Sequence, residues 1–513
     1  MATKSRTYNS IANSMVGIGA SLITIVLNFI VRIVIVRELG EEINGIHNLF
    51  QSITDAITLI EAGFSTAMLI HLYKPIEERN HKETAAIMRF YSSIYRNIAI
   101  IFVLVCIVID VFFLQYIVKS SVPINDVRVY FSIFMLITPF NYLTYYKISI
   151  LYAEQRSRVY AMARSGGQLV FRSLQILSVY ITHDYHYFII LMILEVITIN
   201  TVCGKIVNKS HSYLKKRTEF SLPKEKKDAI YRTVRPIFVN NIASNIQTSS
   251  KGILIGALFS SVSLVGYFGS YQLVATTIAS LFSQFGASIT SGFGNLAVSE
   301  DKESMYAAYR KTVYILSWFA ILMCSVYVCC IHPFIQICFG ENFVLPSSTT
   351  FIITAELFIY LLNVPIISIQ NALGLHRKDQ IVMVVQAFTA LVLGYFMGRY
   401  YGMSGLLLGL IIPQFMFTLI NKGMVITRYA FDKPKLTFIK VIFTEISKGL
   451  CIISLCYIST SMINTSYLIL DIAIRAMLVV CIVSIIFISP INRGQYYNDT
   501  VTLIKKILNR NLK

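Results

Sequence analysis

Eight basic side chains of this 513-residue chain fall inside long apolar runs: Arg32, Arg96, Lys147, Arg164, Arg172, Lys251, Lys448 and Arg475. Asp55, Glu61, Asp110, Glu195, Glu356 and Glu445 lie in runs of the same kind. A charge at the centre of a bilayer costs roughly 2.5 to 3.5 kcal/mol on insertion scales, so each such group needs a partner or a wet cavity. Arg172 is the extreme case, thirteen residues into a run of about 24, where snorkelling to either interface is hardest. Arg164, Gln168, Arg172 and Gln175 are spaced by four, four and three, which puts them on one helix face. Asn240, Ser244, Gln247 and Lys251 repeat that pattern, and Asn13, Gly17, Ser21, Thr24, Asn28 and Arg32 draw a third stripe. His47, Gln51, Asp55 and Thr58 share a fourth face. Cations set among amides and hydroxyls suit an anion that itself carries hydroxyls, because guanidinium forks match phosphate oxygens. The stripes predict a hydrated, net-cationic chamber between two halves of the molecule.

Architectural roles compete for the same residues. Lys147, Arg164 and Arg32 lie within about five residues of the end of a run, within snorkelling reach. Glu445 with Lys448, and Asp471 with Arg475, have helical pair spacing and read as structural pairs. Arg172 and Glu195 are matched for a buried interhelical ion pair, and stripes of small and amide residues also serve ordinary helix packing.

The elements that position these residues follow from composition. With 55% hydrophobic and only 14% charged residues, and a mean hydropathy of +0.64, the chain cannot present a water-soluble surface. Runs of about 20 apolar residues predict fourteen spans, at about 13–36, 43–73, 94–118, 126–152, 159–182, 184–207, 235–260, 264–295, 311–339, 348–373, 379–401, 403–429, 440–463 and 466–490. Even-numbered loops and both termini carry 33 Lys and Arg, against four (Arg37, Lys119, Arg128, Arg399) in odd-numbered loops. This asymmetry places both termini in the cytoplasm and assigns the net charge of +19 to topology rather than to nucleic acid. The nine cysteines all lie in apolar stretches without C-x-x-C spacing, which argues against disulfides and metal sites. The first run is too long for a signal-peptide core and lacks a small-residue cleavage site.

Short external loops leave no room for an extracytoplasmic catalytic domain, and no G-x-x-x-x-G-K-[ST] occurs, so no enzymatic role and no cofactor are expected. The most polar stretch, from Lys205 to Arg235, reads as a hinge between two six-helix halves. Gly45–Gly63 and Gly266–Gly286 echo each other across it, as parallel repeats would. The expected fold is an all-α polytopic membrane protein of fourteen transmembrane helices. It comprises a six-helix bundle at 1–210, a basic cytoplasmic linker at 211–234, a pseudo-symmetric six-helix bundle at 235–430, helices 13 and 14 at 440–490, and a cytoplasmic tail at 491–513. Pro139, Pro365 and Pro413 fall inside spans and are expected to kink them.

The stretches RELGEEINGIHNLFQSI (37–53) and EAGFSTAMLIHLYKPIEERNHKETAAIMRFYSSIYR (61–96) resemble segments of bacterial polysaccharide flippases of the Wzx type. NALGLHRKDQ (371–380) and YYGMSGLLLG (400–409) are similar to that family's helix 10 to 12 region. The resemblance implies membership of the multidrug/oligosaccharidyl-lipid/polysaccharide exporter superfamily. It further implies alternating access in a bacterial cytoplasmic membrane, with an undecaprenyl-pyrophosphate-linked oligosaccharide as substrate and a polysaccharide polymerase as a candidate partner. It carries over no residue motif, so the site rests on the stripes. Arg172, Lys251, Arg32 and Arg164 are expected at the pyrophosphate. Gln168, Gln175, Asn240, Asn245, Gln247, Tyr142 and Tyr271 are expected at the sugars, and Asp55 and Glu195 at ion coupling. The rival expectations are a cation-coupled multidrug exporter of the same superfamily, which would favour an acidic pocket, and a membrane-embedded glycosyltransferase or polymerase, which needs a sizeable external loop.

Overall fold

The protein is described from a computed structural model covering the backbone of residues 6–58, 61–154, 156–215, 222–299, 301–463, 465, 467–489 and 497–498. Side chains are described for these except 6–18, 62, 63, 66, 145, 215, 235–237, 239–245, 247, 248, 285, 287, 288, 291, 295, 298, 299, 376 and 377. All regular structure among the described residues is helical. Eight stretches are long and apolar enough to cross a membrane: Gly19–Leu39, His81–Ile117, Tyr185–Ser210, Lys302–Phe339, Ser347–Leu373, Gln380–Tyr429, Lys435–Ser461 and Leu468–Ile488. This is a multi-pass membrane protein. Its residues separate into two compact units, Met1–Gly266 and Tyr267–Lys513.

The first unit contains α1 (Arg6–Leu39), α2 (Glu41–Ile57), α3 (Ala62–Glu77) and α4 (His81–Val108), the last prolonged by a π segment at Ile109–Phe113 and by α5 (Leu114–Ile117). It continues with α6 (Ile124–Phe134), α7 (Ile137–Tyr145), α8 (Ile148–Ala153), α9 (Ser157–Thr182), α10 (Tyr185–Ser210) and α11 (Lys224–Phe259). The runs at 43–73 and 126–152 are therefore broken helices rather than single rods, and Pro139 stands in the first turn of α7, just after the break at Met135–Leu136. Gly40, at φ 87°, turns the chain between α1 and α2, a conformation open to glycine without a Cβ penalty. Asn80 and Asp184 cap α4 and α10 by accepting from the backbone N–H of Glu83 and His186. Phe50, Phe131 and Phe134 pack edge to face or tilted at 5.1 and 5.6 Å, and Tyr185 stacks on Phe188, so an aromatic core joins α2, α6 and α10.

In the stretch read as a hinge, a 3₁₀ turn at Ser212–Lys215 is followed, beyond residues outside the description, by the first turns of α11 from Lys224. His211 Nε2 lies 2.7 Å from Glu154 Oε1, and Arg156 donates to the other oxygen at 3.3 Å. Burial opposes the charge on Glu154, but the hydrogen bond and charge of His211, with Arg156, prevail and hold its carboxyl below the ordinary value.

The second unit holds most of α12 (Val262–Ser299), then α13 (Lys302–Phe339), α14 (Ser347–Leu373), α15 (Gln380–Pro413), a π segment at Gln414–Asn421, α16 (Lys422–Tyr429), α17 (Lys435–Ser461) and α18 (Leu468–Ile488). Pro413 directly precedes the π segment, where the ladder that proline interrupts is re-registered. Pro365 is accommodated within a continuous α14. α13 is the hub, packed against α14, α17 and α18. The two structural pairs form as their spacing predicts: Lys448 to Glu445 at 3.0 Å and Arg475 to Asp471 at 2.8 Å. Ser317 also donates to Glu445, and Arg475 donates to the Ile463 carbonyl at 2.7 Å, so these charges tie α13, α17 and α18 together.

α15 turns back on itself at Tyr401 and Gly402, the latter at φ 65°. The two arms run antiparallel and so close that a Cβ at Gly405 would stand 2.3 Å from the Met397 carbonyl oxygen. At Gly409 it would stand 2.5 Å from that of Leu393. Backbone, unlike a flexible side chain, cannot yield. Gly409→Ala is expected to force the arms apart at a cost of about 1–3 kcal/mol, read as a lowered thermal midpoint of the detergent-solubilised protein; an unchanged midpoint would contradict the close approach.

Candidate functional site

α9 carries Arg158, Arg164 and Arg172 within 26 residues and is not among the eight apolar stretches. It packs on α1 and α10, with Gln168 and Gln175 of its polar face buried and Arg164 exposed. The approach to α10 depends on Gly167, where a Cβ would meet Ile199 Cγ1 at 2.5 Å. Thr24 of α1 donates to Gln168 Oε1 at 2.6 Å, so the first polar stripe meets the second.

Between α7, α9 and α10 lies a cavity of about 420 Å³. Arg164, Gln168 and Arg172 line it from α9, Glu195 and Asn200 from α10, Asn141 from α7, and Glu61 and Tyr160 complete its polar wall. Ile137, Met192, Val196 and Ile199 supply apolar surface. Arg172 donates through NH1 to Gln175 Oε1 at 3.0 Å, and its Nε stands 3.6 Å from Glu195 Oε2. Gln175, fully buried, donates in turn to the same Glu195 oxygen at 3.2 Å. Asn200 donates to Asn141 Oδ1 at 3.0 Å, and Tyr95 donates to Glu61 Oε1 at 3.3 Å. The ion pair and the cavity are thus one feature: the buried interhelical pair forms the cavity's floor.

The structure brings together Arg164, Gln168, Arg172 and Glu195, with Gln175 directly behind them. Other expected residues stand elsewhere. Arg32 donates to Asn44 Oδ1 at 3.0 Å and Asn48 Oδ1 at 2.5 Å, clamping α1 to α2. Lys251 is 2% exposed on α11, the helix that packs on α2 and α3, and is not in the cavity lining. Tyr142 is buried against Tyr95 and Phe102. Tyr271 belongs to the second unit, where its hydroxyl accepts from the backbone N–H of Leu345 at 3.1 Å. Asp55 is exposed and accepts from Gln51 at 2.9 Å. The side chains of Asn240, Asn245 and Gln247 lie outside the described residues.

Four polar lining residues escaped the sequence reading of the site: Glu61, Asn141, Tyr160 and Asn200. Asn141 and Asn200 each carry the signal used elsewhere, an amide inside an apolar run, but without the helical repetition that makes a stripe visible. Glu61 alters the electrostatics. Two guanidiniums face two carboxyls, so this cavity is formally balanced rather than net-cationic. It offers cationic donors for phosphate-like oxygens together with carboxylates and amides that bond hydroxyls.

A family model described as "Polysaccharide biosynthesis protein" matches residues 10–289, more than half of the chain and all of the helices that build the cavity. The chain belongs to this family. Comparison with curated proteins gave no match. Among solved structures, the lipid II flippase MurJ in an inward closed conformation is similar with a TM-score of 0.65 at 15% identity, over 93% of this chain and 98% of that one. An inward-facing multidrug resistance MATE family transporter of the MOP superfamily gives 0.61 at 14% identity, over 83% and 99%. A Vibrio cholerae MATE transporter gives 0.54 at 13% identity, over 83% and 99%. At such identities the likeness establishes the fold, which this chain shares with these transporters.

The Arg172–Glu195 pair generates a stability prediction. Arg172→Ala leaves the Glu195 carboxylate buried with Gln175 alone; a fully dry site would lose 3–5 kcal/mol, which access to the cavity reduces to about 1–3 kcal/mol. Adding Glu195→Gln should recover most of the lost thermal midpoint. Additive losses in the double variant would mean that the two side chains do not interact.

Proposed function

We propose that this protein is a flippase that moves an undecaprenyl-pyrophosphate-linked oligosaccharide from the inner to the outer leaflet of a bacterial cytoplasmic membrane by alternating access, for surface polysaccharide biosynthesis. The observation that carries the reading is the cavity in which Arg164 and Arg172 stand with Gln168, Asn141, Asn200, Glu61 and Glu195, in a chain of the polysaccharide biosynthesis family. The arginines replace the hydration that a pyrophosphate loses on leaving water, the amides donate to and accept from sugar hydroxyls and the carboxylates accept from them, while the polyprenyl tail stays in the lipid. Fourteen spans in two six-helix halves plus two further helices, with both termini cytoplasmic, complete the proposed topology.

An inside-negative potential supplies about 2.3 kcal/mol per charge per 100 mV, so a headgroup of two negative charges is driven outward without nucleotide hydrolysis. Glu195, whose charge Arg172 balances, is the proposed residue for any coupling to a cation. A multidrug-type exporter shares the fold, and the polysaccharide biosynthesis family of the chain favours the lipid-linked sugar over it.

In a strain deleted for the gene, Arg172→Ala or Arg172→Glu, expressed at the normal level, should fall to less than a tenth of normal surface polysaccharide and accumulate lipid-linked sugars facing the cytoplasm. Normal output at normal protein level would remove Arg172 from the site. For the topology, a cysteine introduced at position 216 should be labelled only from the cytoplasmic side and one at Tyr401 only from outside; the reverse pattern would refute the orientation.

A further inference from the structure

We infer a second site in the Tyr267–Lys513 unit: a groove between α13 and α17 that holds the phosphate of an anionic glycerophospholipid. Two cavities of about 560 and about 140 Å³ share Arg310, Val441 and Thr444 and run together along these helices. The wider one opens at the first turn of α17, where Pro434, Leu436 and Thr437 line it with Lys440. The deeper one reaches Lys448. From Pro434 to Lys448 the groove follows α17 for about 21 Å, about four turns from its end.

Three features identify the ligand class. Its mouth is cationic: Arg310 from α13 and Lys440 from α17 flank it, with the Thr437 and Thr444 hydroxyls between them. The helix end adds to this, since the N-terminal turn of α17 favours negative charge. Deeper in, Glu445 accepts from Ser317 and is paired to Lys448, so a carboxylate lines the inner end and the anion fits at the outer one, beside Lys440. The third feature is the apolar flank. Leu436, in the wall of the mouth, is 67% exposed, and Val313 and Val441 continue the apolar wall inward.

Both helices are among the stretches long and apolar enough to span the membrane, and they enter it side by side. Lys433, just before α17, pairs with Glu303 in the first turn of α13 and lies 5.6 Å over the Tyr306 ring. A phosphate at the mouth with acyl chains along the flank satisfies both surfaces at once, which a free anion does not. On the topology proposed above, the mouth faces the cytoplasmic leaflet. The site is distinct from the cavity in the first unit and does not depend on what that cavity carries.

Native mass spectrometry of the full-length protein in detergent, titrated with phosphatidylglycerol or with phosphatidylcholine of the same chains, tests the site. Wild type should retain phosphatidylglycerol at least ten-fold more tightly than phosphatidylcholine. Arg310→Gln with Lys440→Gln should lose that preference, whereas Lys74→Gln with Arg428→Gln should keep it. Should the double variant fail to fold, Lys440→Gln alone, at an exposed position, should weaken phosphatidylglycerol binding at least three-fold. Equal retention of both lipids, undiminished phosphatidylglycerol binding in the groove variants, or displacement of the lipid by millimolar inorganic phosphate would each overturn the assignment. None of these outcomes bears on the polysaccharide assay, so the two readings fail separately.

Discussion

The cost of placing charge in hydrocarbon governs this molecule. α9 carries three arginines, one of them near mid-helix, and such a helix is stable in a membrane only where its charged side chains meet partners or water. α1 and α10 provide partners, the first through Thr24 on Gln168 and the second through Glu195 on Arg172 and Gln175. The same rule explains the second unit, where Glu445, Lys448, Asp471 and Arg475 are neutralised within their own helices and then used to bind α13, α17 and α18. Charge that must be satisfied becomes the means of holding helices together.

What distinguishes the cavity from these structural pairs is its polar lining. Arg172 and Glu195 stand in a chamber of about 420 Å³ together with Asn141, Asn200, Gln168, Arg164 and Glu61. Polar atoms in that number, around a volume that holds many waters, are arranged for a ligand that brings many hydrogen-bonding groups of its own. A surface polysaccharide precursor has that character, and the family to which the chain belongs concerns such polymers.

The α13–α17 groove illustrates the same physics at the membrane edge. Cations at a helix end are inexpensive there because the headgroup region is wet, and the exposed apolar flank beside them is covered by acyl chains. A protein whose arginines and lysines mostly mark topology can thereby also gather specific lipids around it.

Composition and spacing alone established that the chain is a polytopic helical membrane protein, because hydrophobicity in runs of span length permits nothing else. They also placed Arg164, Gln168 and Arg172 on one helix face and picked out Glu195 as a partner, since helical periodicity is written in the sequence. Only the tertiary structure decided which stripes meet. Arg32 and Lys251 carry the same local signal as Arg172, yet one is clamped by Asn44 and Asn48 and the other is buried in α11. Tyr160 continues the same face of α9 four residues before Arg164, whereas Glu61 and Asn141 gave no periodic signal and come to the cavity from broken helices, and Asn200 from the facing side of α10. Periodicity is a property of one helix, while a site is made by the packing of several, and that packing depends on contacts such as Gly167 against Ile199 that no single stretch of sequence records.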